Sequence, residues 1–213
     1  MIYKQSTNAQ NSERAPFTIR RFFPGHNLPA HTDHGYGPLA VVDDATLTSG
    51  VVVPMHQHRN DEIVSYVHQG AMHHSDSSGA NLVINAQNLM VMNAGHSFWH
   101  EERIHADKET TRTLQIFIRP HAVNLEPQLQ HLPLDADQGI TTEGSGWRYL
   151  VGPEGSDAPA TVRNDVRIFD GRLAAGTLVS LPTYEAWDTY FMVLRGEVMV
   201  NQEVFPAVEA GCW

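Results

Sequence analysis

The chain of 213 residues has a single cysteine, Cys212, so no disulfide can form within it and no Cys-rich zinc ribbon can be built. It has no apolar run near the ~18 residues that a membrane-crossing helix requires. Basic residues are few: 14 Lys and Arg stand against 24 Asp and Glu, a formal net charge of −10. With no Lys/Arg cluster to offset it, such a surface repels phosphate backbones and anionic lipid, which argues against direct nucleic-acid or membrane binding. The first residues, "MIYKQSTNAQNSER", lack the basic-then-apolar order of a signal peptide, so a cytoplasmic location is expected. No G-x-S-x-G, Walker loop, G-x-G-x-x-G or C-x-x-C occurs, which removes the common hydrolase, NTPase, dinucleotide and zinc-ribbon readings.

Hydrophobic residues make up 41% of the chain, enough for one large core or two smaller ones. Apolar and polar residues alternate more than they recur at helical spacing. Strands are expected at 39–50, 62–70, 88–95 and 112–120, the last closed by Pro120, which cannot donate to a ladder. "HHSDSSGANL" (73–82) has the Asp, Ser and Gly of a hairpin tip. Residues 121–146 are poor in strand signals and read as a connector with one short helix at most. Strand signals resume at 147–152, 166–176, 177–182 and 189–207, where "LRGEVMVN" reads as a tight hairpin turning at Gly196. The expected organisation is a first β-rich domain over 1–120, a linker over 121–146 and a second β-rich domain over 147–213. Many short strands with little helix predict an all-β sandwich or barrel. The second half ends soon after "EAG", whereas the matching "NAG" of the first is followed by about two more strands' worth of sequence. The second barrel is therefore expected to be shortened, or closed by something else, since open edge strands invite pairing.

Thirteen histidines are present, and their spacing is more informative than their number. In "GVVVPMHQHRNDE", His56 and His58 are i and i+2, so in a strand they share a face. In "SFWHEERIH", His100 and Glu102 repeat the arrangement about 40 residues on. A His-x-His alone is more often a chance surface pair than a ligand pair. Two such sets change the balance, because burying a carboxylate among three imidazoles without a cation is costly. His56, His58, His100 and Glu102 are thus the candidate ligands of one divalent first-row ion. Glu62 is expected in a supporting role, beside the ligands or in core hydrogen bonding. His96 is placed at the site mouth and Arg59 in the pocket wall. His73 and His74 are neighbours facing opposite ways and are not read as ligands of the same ion. His26, His31 and His34 lie in an N-terminal Gly/Pro-rich loop with surface as the default, and Trp99 should face away from His100.

These residues resemble a known family. "G-VVVPM-H-Q-H-RND-E" (50–62) and "NAG-HSFW-H-E-E" (93–102) are similar to the two cupin motifs, and together with "MHQHRNDEIVSYVHQGAMHHSDSSG" they resemble the pirin family. The resemblance is strong over 38–120 and weaker elsewhere. It departs from the family at "RND", where "RGF" is usual, and at His96, where Arg or Thr is common. It implies a bicupin, two jelly-roll β-barrels, with one metal in the first held by His56, His58, His100 and Glu102, Fe(II) foremost with Mn, Ni, Cu, Co or Zn as alternatives; the shortened C-terminal barrel departs from that pattern. Two roles are implied. One is a quercetin 2,3-dioxygenase-like enzyme that opens the central ring of a flavonol with loss of CO, with Glu102 as catalytic base and a small aromatic substrate. The alternative is a non-catalytic metal-binding regulator acting through protein partners.

Overall fold

The computed structural model describes residues 1–5, 10–14, 17–26, 28, 29, 33–134 and 146–213. Among these the chain is built from strands and turns, without a helix, so none is long and apolar enough to cross a membrane. His31 and part of the connector, 135–145, lie outside the described residues.

The first half is two facing sheets. One has seven strands: β2 (Gln10–Arg14), β3 (Phe17–Phe22), β4 (Leu39–Leu47), β6 (Glu62–Gln69), β9 (Asn88–Asn93), β11 (Thr111–Ile118) and β12 (Gln128–Pro133), in spatial order β12-β9-β6-β11-β4-β3-β2. The other has β5 (Val52–His58), β7 (Ala71–Asp76), β8 (Asn81–Asn85) and β10 (Phe98–Arg103), in order β5-β10-β7-β8. Every pairing in both is antiparallel. Ala45, Leu47, Val67, Met72, Ile84, Met90 and Ile104 fill one end of the space between them, and Ile63, Met92, Ala94 and Phe98 fill the other. Each of these side chains larger than alanine contributes about 1.5–3 kcal/mol by leaving water.

β9 does not alternate. Leu89 to Asn93 are all buried, because the strand is covered on both faces. Met90 and Met92 point into the first sandwich. Leu89 and Val91, with Val64 and Ile118, meet Leu150, Val151, Ala160 and Val162 of the second half. The second half comprises β13 (Trp147–Pro153), β14 (Ala160–Val162) and β15 (Ile168–Gly171) in one sheet, β16 (Tyr190–Val193) and β19 (Glu209–Cys212) in another, and the hairpin β17 (Glu197–Val200)–β18 (Glu203–Pro206). The edge left by β19 is closed by β1 (Tyr3–Lys4) from the opposite end of the chain, with Tyr3 opposite Cys212.

Three local expectations are corrected. Residues 128–133, read as connector, form β12, whose Leu129 packs against the core from the sheet edge; no helix occurs among the described residues of the connector. Residues 177–182 form no strand, since Leu178 is exposed and finds no apolar face to cover. Gly196 (φ 74) is a turn, but β16 pairs with β19 rather than β17. The tight hairpin lies one step on, across Asn201 and Gln202, both at positive φ as a two-residue hairpin loop requires. Gly70 (φ 75) plays the matching part in the first half, carrying the chain from β6 in one sheet to β7 in the other.

Candidate metal centre

β5 and β10 lie side by side, with His100 opposite His56 and Phe98 opposite His58. On β10 the alternation is plain: Phe98, His100 and Glu102 are buried, while Trp99 and Arg103 are exposed. Trp99 thus faces away from His100, as its position predicts. Register slips between His100 and Glu102, so that Pro54 and Met55 together oppose Glu101. Proline has no N–H for a ladder and is accommodated at such a bulge.

The result is a cluster of imidazoles between the two apolar ends of the sandwich. Ring centroids are 4.3 Å apart for His56 and His100, 4.9 Å for His56 and His58, and 5.1 Å for His58 and His100. One ligand atom from each of the three lies within 4.8 Å of the others. Glu102 does not complete this group as a fourth member. It belongs to an overlapping one, made with His100 and His74, and its Oε1 lies 4.0 Å from His100 Nδ1. Gln115 Nε2 donates to the same oxygen at 2.8 Å.

The tautomers follow from the partners. His56 Nδ1 is 2.9 Å from the Pro54 carbonyl, and His58 Nδ1 is 3.3 Å from Asp61 Oδ2. In both, an N–H on Nδ1 leaves Nε2 with its lone pair free. His100 Nδ1 is 3.3 Å from His74 Nδ1, and its Nε2 is buried with no hydrogen-bond partner. Buried polar atoms without partners are rare. Here the orphan is the atom with which an imidazole binds a cation.

Burial disfavours charge on His56 and His100. It pushes His100 down to about 2, helped by the neighbouring His56, His74 and His58, and it also lowers His56. Burial raises the Glu102 carboxyl to about 7, against the opposing pull of His58 and the Gln115 hydrogen bond. Three imidazoles with a ring nitrogen to offer and a buried carboxyl are the donor set that a borderline first-row cation takes. The residues therefore fit such an ion.

The other candidates are dispersed. Arg59 is exposed, and its Nε donates to the His96 carbonyl at 3.0 Å. The His96 ring is half exposed, 3.8 Å from Glu126. Glu62 faces the second half: Oε1 accepts from Arg163 Nε (2.9 Å) and Nη2 (2.7 Å), while Oε2 accepts from the Arg163 amide and from Asn93. Of the two supporting roles expected for it, these bonds are those of core hydrogen bonding. His26 is exposed against Phe23, and His34 packs edge-on against the same ring.

His74 is the residue that strand alternation alone misses. It is fully buried, opposite Glu102 across the β7–β10 ladder, whereas His73 turns outward against His105. The available signal was His-x-Asp at 74–76, two polar groups on one strand face running into a turn.

Two β-sandwich halves packed on each other, with an imidazole and carboxylate cluster inside the first, are the two-cupin arrangement. The family model for Pirin matches residues 3–118, and that for the quercetinase C-terminal cupin domain matches 149–210. The chain belongs to the pirin family. A pirin-like protein of Caulobacter vibrioides is 30% identical over 189 residues, 87% of this chain and 75% of that one. The quercetin 2,3-dioxygenase of Escherichia coli K12 is 25% identical over 167 residues, 78% of this chain and 69% of that one. Among solved structures, a quercetin 2,3-dioxygenase from Acinetobacter baumannii superposes with TM-score 0.80 at 22% identity, covering 100% of this chain and 70% of that one. The bacterial pirin YhhW of Escherichia coli in complex with nickel(II) does so with TM-score 0.77 at 18% identity, covering 100% and 90%. At these identities the two structures establish the fold.

Proposed function

We propose that this chain is a metal-dependent dioxygenase that opens the central ring of a flavonol such as quercetin, releasing CO. The observation that carries the reading is the set of three imidazoles, His56, His58 and His100, each with Nδ1 engaged and Nε2 left free. These three and Glu102 would hold one divalent first-row cation. When bound, that cation supplies Lewis acidity to the substrate's 3-hydroxyl oxygen and eases loss of its proton.

The remaining work falls to the chain. Glu102, the carboxyl of the cluster, takes the hydroxyl proton, and Gln115 holds its Oε1 in place. Phe117, with its ring centroid 6.1 Å from that of His58, packs on the buried Ile63–Met92–Phe98 core and sets an apolar ring beside the cluster. An apolar ring there suits a flat aromatic ligand. One O₂ is consumed for each ring opened, and one ring carbon leaves as CO. Similarity to a relative named quercetin 2,3-dioxygenase supports the same reading.

The test is direct. Protein loaded anaerobically with Fe(II) and mixed with quercetin and O₂ should consume O₂ and release CO in equal amounts. Absence of turnover with Fe, Mn, Ni, Cu, Co and Zn alike would remove the enzyme reading and leave a metal-binding regulator.

A further inference from the structure

His74 and Asp76 sit behind the imidazole cluster, not in it. Both side chains are fully buried. Asp76 Oδ2 lies 2.8 Å from His74 Nε2, and His74 Nδ1 lies 3.3 Å from His100 Nδ1. The other carboxylate oxygen, Oδ1, is tied into the β7–β8 turn. It accepts from the Ser78 amide at 2.8 Å, the Ser78 hydroxyl at 2.6 Å and the Ala80 amide at 3.2 Å. Burial opposes ionisation of Asp76, but these bonds and the one from His74 outweigh it and hold the carboxyl below its usual range.

The chain of bonds has one consistent direction. An ionised carboxylate only accepts, so the proton of His74 is on Nε2. Its Nδ1 is then an acceptor, and the proton between the two rings belongs to His100 Nδ1. That leaves His100 Nε2 bare, and this is the buried atom without a partner. Proximity alone admits another reading, with His74, His100 and Glu102 grouped as ligands. It conflicts with the bonds, since both nitrogens of His74 are already engaged.

We propose that Asp76 and His74 are positioning residues that set the tautomer of His100 and so present its Nε2 lone pair to the cation. This rests on the metal reading above, and the outcomes below separate the two. Asp76→Asn provides the test. The turn donors at Ser78 and Ala80 hold the amide oxygen where Oδ1 now sits, so the Asn NH₂ faces His74 Nε2. His74 must then accept there, carry its proton on Nδ1 and donate to His100 Nδ1. His100 is left with its proton on Nε2 and nothing to offer a metal, the fault that a carboxylate-to-amide change makes wherever a carboxylate orients a histidine.

Two measurements read this on the full chain. ¹⁵N NMR of the metal-free protein should show His100 protonated at Nδ1 in the wild type and at Nε2 in Asp76→Asn. Titration with Co(II) alone should show affinity weakened by about 10–100-fold in the variant. Ser78→Ala, which loosens the turn and leaves the Asp76–His74 bond in place, should keep both the wild-type tautomer and the affinity. His74→Leu, useful should Asp76→Asn not fold, should give His100 a mixture of tautomers. An unchanged His100 tautomer in Asp76→Asn, with Co(II) binding intact, overturns the proposal and leaves the metal reading standing. A tautomer exchange in a protein whose wild type binds no Co(II) supports the hydrogen-bond chain and overturns the metal reading. Equal losses in Ser78→Ala and Asp76→Asn, without tautomer exchange, would reduce Asp76 to a turn-former.

Discussion

An imidazole has two nitrogens, and the partner of one decides what the other can do. In His56, His58 and His100 the Nδ1 side is taken by a backbone carbonyl, a carboxylate and a second imidazole respectively. Burial also disfavours charge on His56 and His100, the latter pushed down to about 2. His56 is only partly buried, so truncating it leaves little strain. His56→Ala should therefore lower metal occupancy by about tenfold or more. The unfolding free energy of the metal-free protein should change by less than about 1 kcal/mol. Elemental analysis and urea denaturation read the two quantities, and unchanged occupancy would move the cation elsewhere. This much of the site was legible in His-x-His and His-x-Glu, because i and i+2 share a face in any strand. The role of His74 was not, because a lone strand shows which way a side chain points but not what lies across the ladder.

At the scale of elements, β10 has to arrive at the cluster in one register, and the turn before it is held tightly. Gly95 adopts φ 56, and a Cβ there would collide with the Leu125 carbonyl oxygen. The Gly95 carbonyl accepts from the Asn60 amide at 2.7 Å, and the His96 amide donates to Leu125 at 2.8 Å. One glycine thus joins the β5–β6 turn, the β9–β10 turn and the chain leading to β12. Gly95→Ala should cost about 1–3 kcal/mol, combining a left-handed backbone with the collision. A urea midpoint equal to wild type would show that the 125–127 segment yields freely. Residues 177–182 carry the apolar pattern of a strand and form none, while 128–133 look like connector and form β12. In both cases the neighbouring element decides, since strand preference is largely the chance to pack on a half-buried surface.

Across the whole molecule, the two halves are joined by an apolar seam around Val64, Val91, Leu150 and Val162, and by one buried ion pair, Glu62–Arg163. Glu62 stands only four residues after His58 in sequence, yet its carboxylate bonds to Arg163 and Asn93. Arg163 Nη1 also donates to the Glu126 carbonyl at 2.6 Å. Glu62→Gln would leave a buried guanidinium without its counter-charge, at a cost of about 3–5 kcal/mol. Metal affinity should stay within about twofold of wild type, since the substitution does not touch the imidazoles. Urea unfolding followed beside Co(II) titration separates these effects, and a large loss of affinity with little loss of stability would return Glu62 to the metal site.

The all-β class, the hairpin at 73–82, the shared face of His56 and His58 and that of His100 and Glu102 were determined by the sequence alone. Each depends on contacts within a few residues, through strand alternation and turn chemistry. What lies opposite what was decided by the tertiary structure: His74 against Glu102, Arg163 against Glu62, Tyr3 against Cys212. Those pairings join residues 28, 101 and 209 positions apart in the chain. Each depends on which strands lie side by side or face to face, which no local pattern of apolar and polar residues can encode.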